Sequence, residues 1–314
     1  MLPWISPTPL MLAPMQGLTN RGLRGVYGQT VRPDVLFTEF VRVRPGSPTP
    51  VAASDFVEAT TAVPGIPLVV QVIGSAEEGV REATAELVAR GVQHINVNMG
   101  CPWGRMTSVL AGGGMFRAPH TVEPMLRELR QLVPGSLSVK TRTGIDDERQ
   151  IFELLPAFEA AGIDFLVVHS RTVKQKYRGS ANHDLTAELV RSVGLPVIAN
   201  GDVRTAADAR RVLDHTGAAG LMLGRGAIAD PYLFARIRGS APEHPSDADR
   251  QQQLARLWHQ LLDEYVELFA GDAQVLAKLA SLAKHVDDDG LRRWVKRVKK
   301  ARSVDQLRSL LASG

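Results

Sequence analysis

Short apolar runs alternate with amphipathic stretches along the first three quarters of the chain. The amphipathic stretches carry apolar residues at helical spacing, whereas the runs between them are nearly continuously apolar. Such runs are typical of parallel strands buried on both faces. Strands are predicted over Leu10–Ala13, Val35–Thr38, Leu68–Ile73, His94–Val97, Leu137–Arg142, Phe165–His169, Val197–Asn200 and Gly220–Leu223.

Eight strand and helix units in succession predict an α/β fold, a (β/α)8 TIM barrel, over residues 1–240. A doubly wound open sheet is the alternative, but no G-x-G-x-x-G turn follows the first strand, which disfavours it. Residues 241–249 are polar and contain proline, as linkers do. Three helical patterns without a strand follow, so residues 241–314 are predicted to form a small helical bundle domain.

Polar residues recur where the predicted strands end. The carboxyl ends of all strands in such a barrel meet at one mouth, which is where active sites lie. A functional site is therefore expected there, built from Pro14, Met15, Gln16, Arg42, Gln71, Asn98, Cys101, Lys140, Arg142, His169, Asn200, Gly201, Asp202, Gly224 and Arg225.

Cys101 is the only cysteine of the chain. A single thiol forms no internal disulfide and cannot hold a metal alone, and no metal site is predicted. It is either a small buried side chain or a reactive or proton-donating group. Asn98, Gly100 and Pro102 around it are typical of a strand turning into a loop, which favours the chemical role.

Glycine-containing loops follow the seventh and eighth predicted strands, where barrels commonly bind phosphate. Gly201 and Gly224 let backbone N–H groups approach an anion, and the Arg225 guanidinium can bind it through two N–H groups. The alternative is that these glycines only form tight turns.

Lys140 and Arg142 alternate along the fifth predicted strand and would point into the mouth. They would meet an anionic or electron-rich ligand such as a reduced flavin, or form a salt bridge to a carboxylate such as Asp202. His169 would donate to a flavin or base carbonyl, or serve a structural role.

The composition is that of an ordinary globular protein, with 44% hydrophobic and 22% charged residues and a net charge of +4. The N-terminus lacks the basic and apolar regions of a signal peptide, and no apolar run approaches the roughly 20 residues of a membrane span. With a single cysteine, these features predict a cytoplasmic protein.

A basic run near the C-terminus has no acidic residue among positions 291–302. Like charges on one helix repel one another, so a polyanion such as an RNA backbone is expected beside it. The alternative is a solvated helix face. The cations are Arg292, Arg293, Lys296, Arg297, Lys299, Lys300 and Arg302.

Taken together, ordered motifs over essentially the whole chain resemble the tRNA-dihydrouridine synthases. These motifs are Leu12–Met15, Val70–Gly74, Asn98–Pro102, Gly112–Gly114, Lys140–Arg142, His169–Thr172, Asn200–Val203 and Gly224–Ala227.

The resemblance implies a barrel that holds FMN, a helical tRNA-binding domain, and NADPH-driven reduction of a uridine in the tRNA D-loop. It calls for no membrane and no obligatory protein partner. Hydride would pass from FMN N5 to C6 of the uracil, and Cys101 would protonate C5 as the general acid. By matching position, the flavin would be bound by Pro14, Met15, Gln16, Gln71, Lys140, His169, Asn200, Gly201, Asp202, Gly224 and Arg225.

Contacts to the tRNA follow from the resemblance in the same way. Asn98, Arg142 and His169 would orient the target base. The tRNA would be bound by Arg42, Asn98, Arg142, Lys278, Arg292, Arg293 and Lys296. Residues 38–43 and 175–178 are similar to the C-type bacterial subgroup, which reduces U16; another D-loop position such as U20 is the alternative.

Two departures from the family pattern stand out. The loop Trp103–Ala111 is about two residues longer than usual, and the basic-x-basic pattern of the second C-terminal helix retains only Lys278. Two other functions stay open: a small-molecule flavin oxidoreductase resembling dihydroorotate dehydrogenase, and a non-catalytic RNA-binding protein built on the same barrel.

Overall fold

The computed structural model describes residues 2–44, 46–75, 79–103 and 110–312. Its strands follow the predicted apolar runs closely, and one short strand that was not predicted, β3, follows the second run. The strands are β1 (Leu10–Leu12), β2 (Leu36–Phe37), β3 (Val41–Arg42), β4 (Leu68–Ile73), β5 (His94–Met99), β6 (Leu137–Thr141), β7 (Phe165–His169), β8 (Val197–Asn200) and β9 (Gly220–Leu223).

The named strands pair in parallel and in chain order from β4 to β9, with β2 beside β4 and β1 beside β9. A parallel bridge between Met11 and Val35 joins β1 to β2, so the ring is nearly closed. This arrangement confirms the predicted TIM barrel. The second strand becomes irregular at Thr38, whose Oγ1 accepts the N–H of Gln71 at 3.0 Å, and it resumes as β3.

Apolar side chains fill the lower part of the barrel. Met11, Phe37 and Ile198 belong to a buried cluster inside the ring. The ring of Trp4 lies edge-on to that of Phe165, with 4.8 Å between their centroids, and packs against the same cluster. The interior is therefore a packed core.

Some helices of the barrel begin at side-chain caps. Asn20 Oδ1 accepts the N–H of Leu23 at 3.1 Å, and Thr205 forms a reciprocal capping box with Asp208. These helices are α1 (Arg21–Thr30), α2 (Ala53–Thr60), α3 (Val80–Ala89), α4 (Val122–Leu132), α5 (Ile151–Ala160), α6 (His183–Ser192), α7 (Ala206–Thr216), α8 (Arg225–Ala229) and α9 (Leu233–Ile237).

Four further helices form the C-terminal segment: α10 (Asp247–Leu268), α11 (Asp272–Ala283), α12 (Arg292–Val298) and α13 (Val304–Ala312). Three helical patterns were predicted there, so α13 is an addition. The basic run was predicted as helical up to Arg302, but α12 ends at Val298. Trp258 of α10 and Trp294 of α12 stack at 5.2 Å, which fixes these two helices together.

The C-terminal helices and the barrel share one hydrophobic core. They approach each other closely at Gly22 in α1, where a Cβ would lie 3.2 Å from both Leu268 and Tyr265 of α10. Glycine at this position therefore allows α10 to pack tightly on the barrel.

Residues 104–109, the greater part of the long loop predicted after Cys101, lie outside the described residues. In the part of the chain that the structure describes, no helix has both the length and the apolar character needed to cross a membrane.

Candidate active site

Two adjoining cavities open at the mouth formed by the carboxyl ends of the strands. The smaller, of about 100 Å³, lies against the loops after β8 and β9. The larger, of about 730 Å³, extends from there to Cys101. Because they have walls in common, they form one continuous site. The shared lining residues are Pro14, Met15, Lys140, His169, Tyr177 and Arg225.

All barrel residues predicted for the site line these cavities. The smaller cavity adds Asn200, Gly201, Asp202 and Gly224. The larger cavity adds Gln16, Arg42, Gln71, Asn98, Cys101 and Arg142.

A row of buried amides crosses the floor of the larger cavity. Asn98 Nδ2 donates to Gln71 Oε1 at 2.8 Å, and Gln71 Nε2 donates to Asn96 Oδ1 at 2.8 Å. Asn96 continues the row by donating to Ser138 Oγ at 2.8 Å. Because each amide is fixed by the next, Gln71 and Asn98 hold a defined orientation towards the cavity.

The position of Cys101 is set by the end of that row. Asn98 Oδ1 accepts the N–H groups of Gly100 at 3.0 Å and of Cys101 at 2.9 Å, which turns the chain sharply after β5. The side chain of Cys101 is half-buried and packs against Ile73 and Ala111. The thiol is thus held at the cavity wall by the strand end itself.

Lys140 lies where the two cavities meet. Its Nζ donates to Asn200 Oδ1 at 3.0 Å, and Asp202 instead pairs with Arg171 at 2.6 Å, so the alternative of a Lys140–Asp202 salt bridge is wrong. Burial, together with the nearby Arg142 charge, lowers the pKa of Lys140 to about 7. A buried ammonium with a neutral partner is unstable unless an anion approaches it.

His169 is held as a neutral imidazole. Its Nε2 lies 3.0 Å from Arg171 Nη1, and because a guanidinium only donates, Nε2 must accept and the proton must be on Nδ1. Burial lowers the pKa of His169 well below its usual value, and the charges of Lys140, Arg142, Arg171 and Arg225 lower it further. The ring therefore offers a neutral N–H donor.

The loop after β8 forms the far wall of the smaller cavity. Gly201 has φ +124°, and a Cβ there would lie 2.8 Å from Ala181 Cβ, so this turn requires glycine. Burial would raise the pKa of Asp202, but the Ala181 N–H and the guanidinium groups of Arg171 and Arg225 hold it below its usual value. Asp202 is thus a carboxylate that orients two arginines.

Arg142 supports the loop after β7. Its guanidinium donates to the carbonyls of Gly100, Thr172 and Lys176 at 2.9, 2.9 and 2.7 Å. Burial lowers its pKa to about 10, although Tyr177 acts in the opposite direction. These bonds join the Cys101 strand end to the Tyr177 loop, so Arg142 shapes the mouth as well as lining it.

Positive charge exceeds negative charge around the mouth. Among the residues that the structure describes, the cations acting on His169 are Lys140, Arg142, Arg171 and Arg225, and Asp202 pairs with the last two. Such an excess at glycine loops suits a ligand that carries phosphate and an electron-rich ring.

A third cleft, of about 1050 Å³, lies between the barrel and the C-terminal helices. Within the described part of the chain, nine cations and five carboxylates line it. Arg292, Lys296, Lys299 and Lys300 belong to this lining; Arg293 is exposed on α12 outside it. Arg225 and His285 line both this cleft and the larger cavity, so basic surface continues to Cys101.

Sequence reasoning missed three residues at the site. Tyr177 lies beneath two guanidiniums, 5.5 Å from Arg142 and 4.9 Å from Arg225. Trp103 is 51% exposed at the rim. His285 reaches the cavity from the end of α11. Only the aromatic residues had a sequence signal: Tyr177 belongs to the subgroup motif at residues 175–178, and Trp103 follows the end of β5 closely.

Lys278 lies away from both cavities. Its Nζ donates to the carbonyl of Gly17 at 3.1 Å, at the junction of α11 with the barrel. It lines a separate small cavity with Gln16, Glu39 and Phe269.

Comparison with known proteins confirms the resemblance. A sequence model of the family described as dihydrouridine synthase matches residues 11–312. A tRNA-dihydrouridine(16) synthase from Cupriavidus necator is 36% identical over 248 residues, which cover 76% of each chain. A tRNA-dihydrouridine synthase B from Proteus vulgaris is 31% identical over 322 residues, covering 96% of this chain and 94% of its own.

Solved structures share the fold at low identity. Morphinone reductase in complex with tetrahydroNAD superimposes with a TM-score of 0.53 at 15% identity, covering 76% of this chain and 89% of its own. Dihydroorotate dehydrogenase of Eimeria tenella in complex with ferulenol gives 0.53 at 13% identity, covering 74% and 80%. With the family match over nearly the whole length, the chain belongs to the dihydrouridine synthases, flavin-dependent oxidoreductases that modify tRNA.

Proposed function

We propose that this protein reduces a D-loop uridine of tRNA to 5,6-dihydrouridine, with FMN as its flavin and NADPH as the reductant. One observation carries the proposal: the Cys101 thiol and the cationic shelf of Lys140 and Arg225 open into the same mouth. Adding a hydride and a proton across a double bond requires a hydride carrier and a proton donor. A flavin in the cationic cavity would be the carrier, and the thiol that faces it would be the donor.

FMN fits the residues that are present. Its phosphate would lie against Gly201, Gly224 and Arg225, where glycines and a guanidinium favour an anion. Asp202 would serve by holding Arg225, 3.6 Å away, since its own charge repels phosphate. The ring would lie near Pro14 and Met15 and the row of amides. When bound, FMN supplies the hydride for C6 of the uracil.

Lys140 gives a second reason for a flavin. Its buried ammonium has the Asn200 amide as its partner, so the negative edge of a reduced flavin ring would relieve an existing electrostatic cost. His169 would add a neutral donor. NADPH would have to share the open face of the flavin.

Cys101 would transfer its proton from Sγ to C5 of the uracil. The transfer needs a thiol at the cavity wall, and the turn made by Asn98 holds Cys101 there. Asn98 can also orient the base: within the described residues its contacts use both lone pairs of Oδ1 and one N–H, so one N–H remains for a uracil carbonyl. Arg142 and His169 would complete the contacts to the base.

We place the tRNA along the third cleft, with residues 1–240 as the catalytic domain and residues 241–314 as the tRNA-binding domain. The cations of the cleft would bind the phosphate backbone, and those contacts would offset the few kcal/mol needed to unstack the target base. Arg42, exposed at the rim, would touch the D-loop. Action on tRNA supports a cytoplasmic location.

We assign position 16 as the target. The assignment rests on residues 38–43 and 175–178, and on relatives named tRNA-dihydrouridine(16) synthase, among which that of Aquipseudomonas alcaligenes is 31% identical over 261 residues.

Mapping dihydrouridine by mass spectrometry in tRNA from cells with and without this gene tests the proposal. Loss of the two added hydrogens at position 16 alone supports both the reaction and the position. Loss at another D-loop position, such as U20, keeps the reaction and rejects the position. An unchanged map rejects the proposal in favour of a small-molecule reductase.

A further inference from the structure

The loop between β1 and α1, residues 14–18, lines both cavities of the active site through Pro14 and Met15. Its shape depends on Gly17, which has φ +82°. The loop is closed on itself by Thr19, whose Oγ1 accepts the N–H of Met15 at 2.9 Å. A change at Gly17 is therefore transmitted to the residues facing the flavin site.

Both polar groups of Gly17 are bound by charged side chains from distant parts of the chain. Its N–H donates to Glu39 Oε2 at 2.8 Å, and its carbonyl accepts from Lys278 Nζ at 3.1 Å. Glu39 follows β2 in the barrel, whereas Lys278 belongs to α11 of the C-terminal segment. The loop is thus held between the barrel and the C-terminal helices.

The surroundings of Lys278 are those of a packed junction. Its Nζ lies 5.1 Å from the centroid of the Phe269 ring, and Phe269 meets the Tyr265 ring edge-on at 5.2 Å. The Tyr265 hydroxyl lies 3.5 Å from Nδ2 of Asn20, the cap of α1. Lys278 is half-buried there, with its ammonium already used inside the protein.

Glu39 also has the features of a fixed group. Its Oε1 is buried and has no hydrogen-bond partner among the described residues. Burial raises the pKa of Glu39, against the effects of the Gly17 N–H and the Lys278 charge. Burying this carboxyl group costs free energy. Its role as the hydrogen-bond acceptor of the Gly17 N–H explains why Glu39 lies there.

We propose that Glu39 and Lys278 are positioning residues that clamp Gly17 from both sides and so set the flavin-facing wall of the site. The proposal rests on the proposed function. It gives Lys278 a role different from the tRNA contact that the family resemblance implies, and it makes α11 part of the support of the flavin site.

The test uses the full-length protein purified with its flavin. Lys278→Met removes one side of the clamp, and Glu39→Ala removes the other. Glu39→Gln is the matched control because it keeps an acceptor for the Gly17 N–H. Lys284→Met is the second control, since Lys284 is exposed on the third cleft just beyond α11.

Three quantities are measured for each variant: the affinity for FMN with the absorbance spectrum of the bound flavin, the rate of flavin reduction by NADPH without tRNA, and tRNA affinity against salt concentration. Lys278→Met and Glu39→Ala are expected to weaken FMN binding about tenfold and to shift the spectrum in the same way. Glu39→Gln should restore wild-type values. The double variant should lose less FMN affinity than the product of the two single losses, because both residues act on one loop.

The outcome for tRNA separates the two roles of Lys278. The clamp predicts an unchanged salt slope for Lys278→Met, whereas Lys284→Met lowers it by about one. A lowered slope with unaltered flavin binding in Lys278→Met would overturn the clamp and make Lys278 a phosphate contact. Wild-type protein that binds no flavin would instead overturn the proposed function, and the clamp with it.

Discussion

Replacing Lys140 with methionine removes a buried charge from the barrel mouth and nearly keeps the side-chain volume. Lys140 Nζ donates to the neutral Asn200 Oδ1 at 3.0 Å, and burial with the Arg142 charge lowers its pKa from 10.5 to about 7. We expect the flavin-free Lys140→Met variant to be more stable than the wild type at acidic and neutral pH.

The magnitude follows from the lowered pKa. Each pKa unit corresponds to about 1.4 kcal/mol, so the charged form destabilises the folded flavin-free protein by about 5 kcal/mol at most. Loss of the hydrogen bond to Asn200 offsets about 1 kcal/mol of the gain. The folded protein releases the proton near pH 7, whereas the unfolded chain keeps it to about 10.5. Wild-type stability therefore rises with pH across this window, and the advantage of the variant disappears above it.

Urea unfolding followed by tryptophan fluorescence measures both proteins in flavin-free form at about pH 6 and about pH 10. The difference between their unfolding free energies isolates Lys140, because all other titrating groups are shared. Adding FMN should stabilise the wild type and have much less effect on the variant. A free-energy difference independent of pH, or a variant less stable at acidic pH, would refute the reasoning.

Three further predictions concern the proton donor, the glycine loop and the basic helix. Cys101→Ala should keep flavin and tRNA binding but reduce dihydrouridine formation about 10²- to 10⁴-fold; unchanged turnover would eliminate the acid role. Gly201→Ala should impair FMN binding, since its Cβ would lie 2.8 Å from a neighbouring alanine, whereas Gly25→Ala, with open space around it, should be tolerated in thermal unfolding. Lys296→Gln and Lys300→Gln should each lower the salt slope of tRNA binding by about one, and arginine at either position should restore it.

The barrel was predictable because its strands are buried on both faces and read as apolar runs. Phe165–His169 and Val197–Asn200 have the predicted bounds. The predicted strand Val35–Thr38 is shorter because its last residue uses a side-chain oxygen where a strand would use its backbone. A side-chain oxygen that takes the place of a backbone acceptor depends on a partner far along the chain, so hydrophobic periodicity does not reveal it.

The residue types of the site were predictable, but their partners were not. Lys140 was expected at the mouth, but nothing in the sequence favours Asn200 over Asp202 as its partner. His285 reaches the site only because α11 packs on the barrel. The bond from Lys278 to Gly17 joins residues 261 positions apart, and local patterns carry no information on such contacts.

The core shared by the barrel and the C-terminal helices bears on which nucleotide of an RNA substrate can reach the active site. With Gly22 allowing α10 into close contact, the C-terminal segment cannot swing as a separate body without opening that core. The distance between the basic cleft and Cys101 is therefore fixed by the protein. If tRNA binds in that cleft as proposed, its target nucleotide has to span that distance, so the nucleotide would be selected by its spacing from the bound backbone.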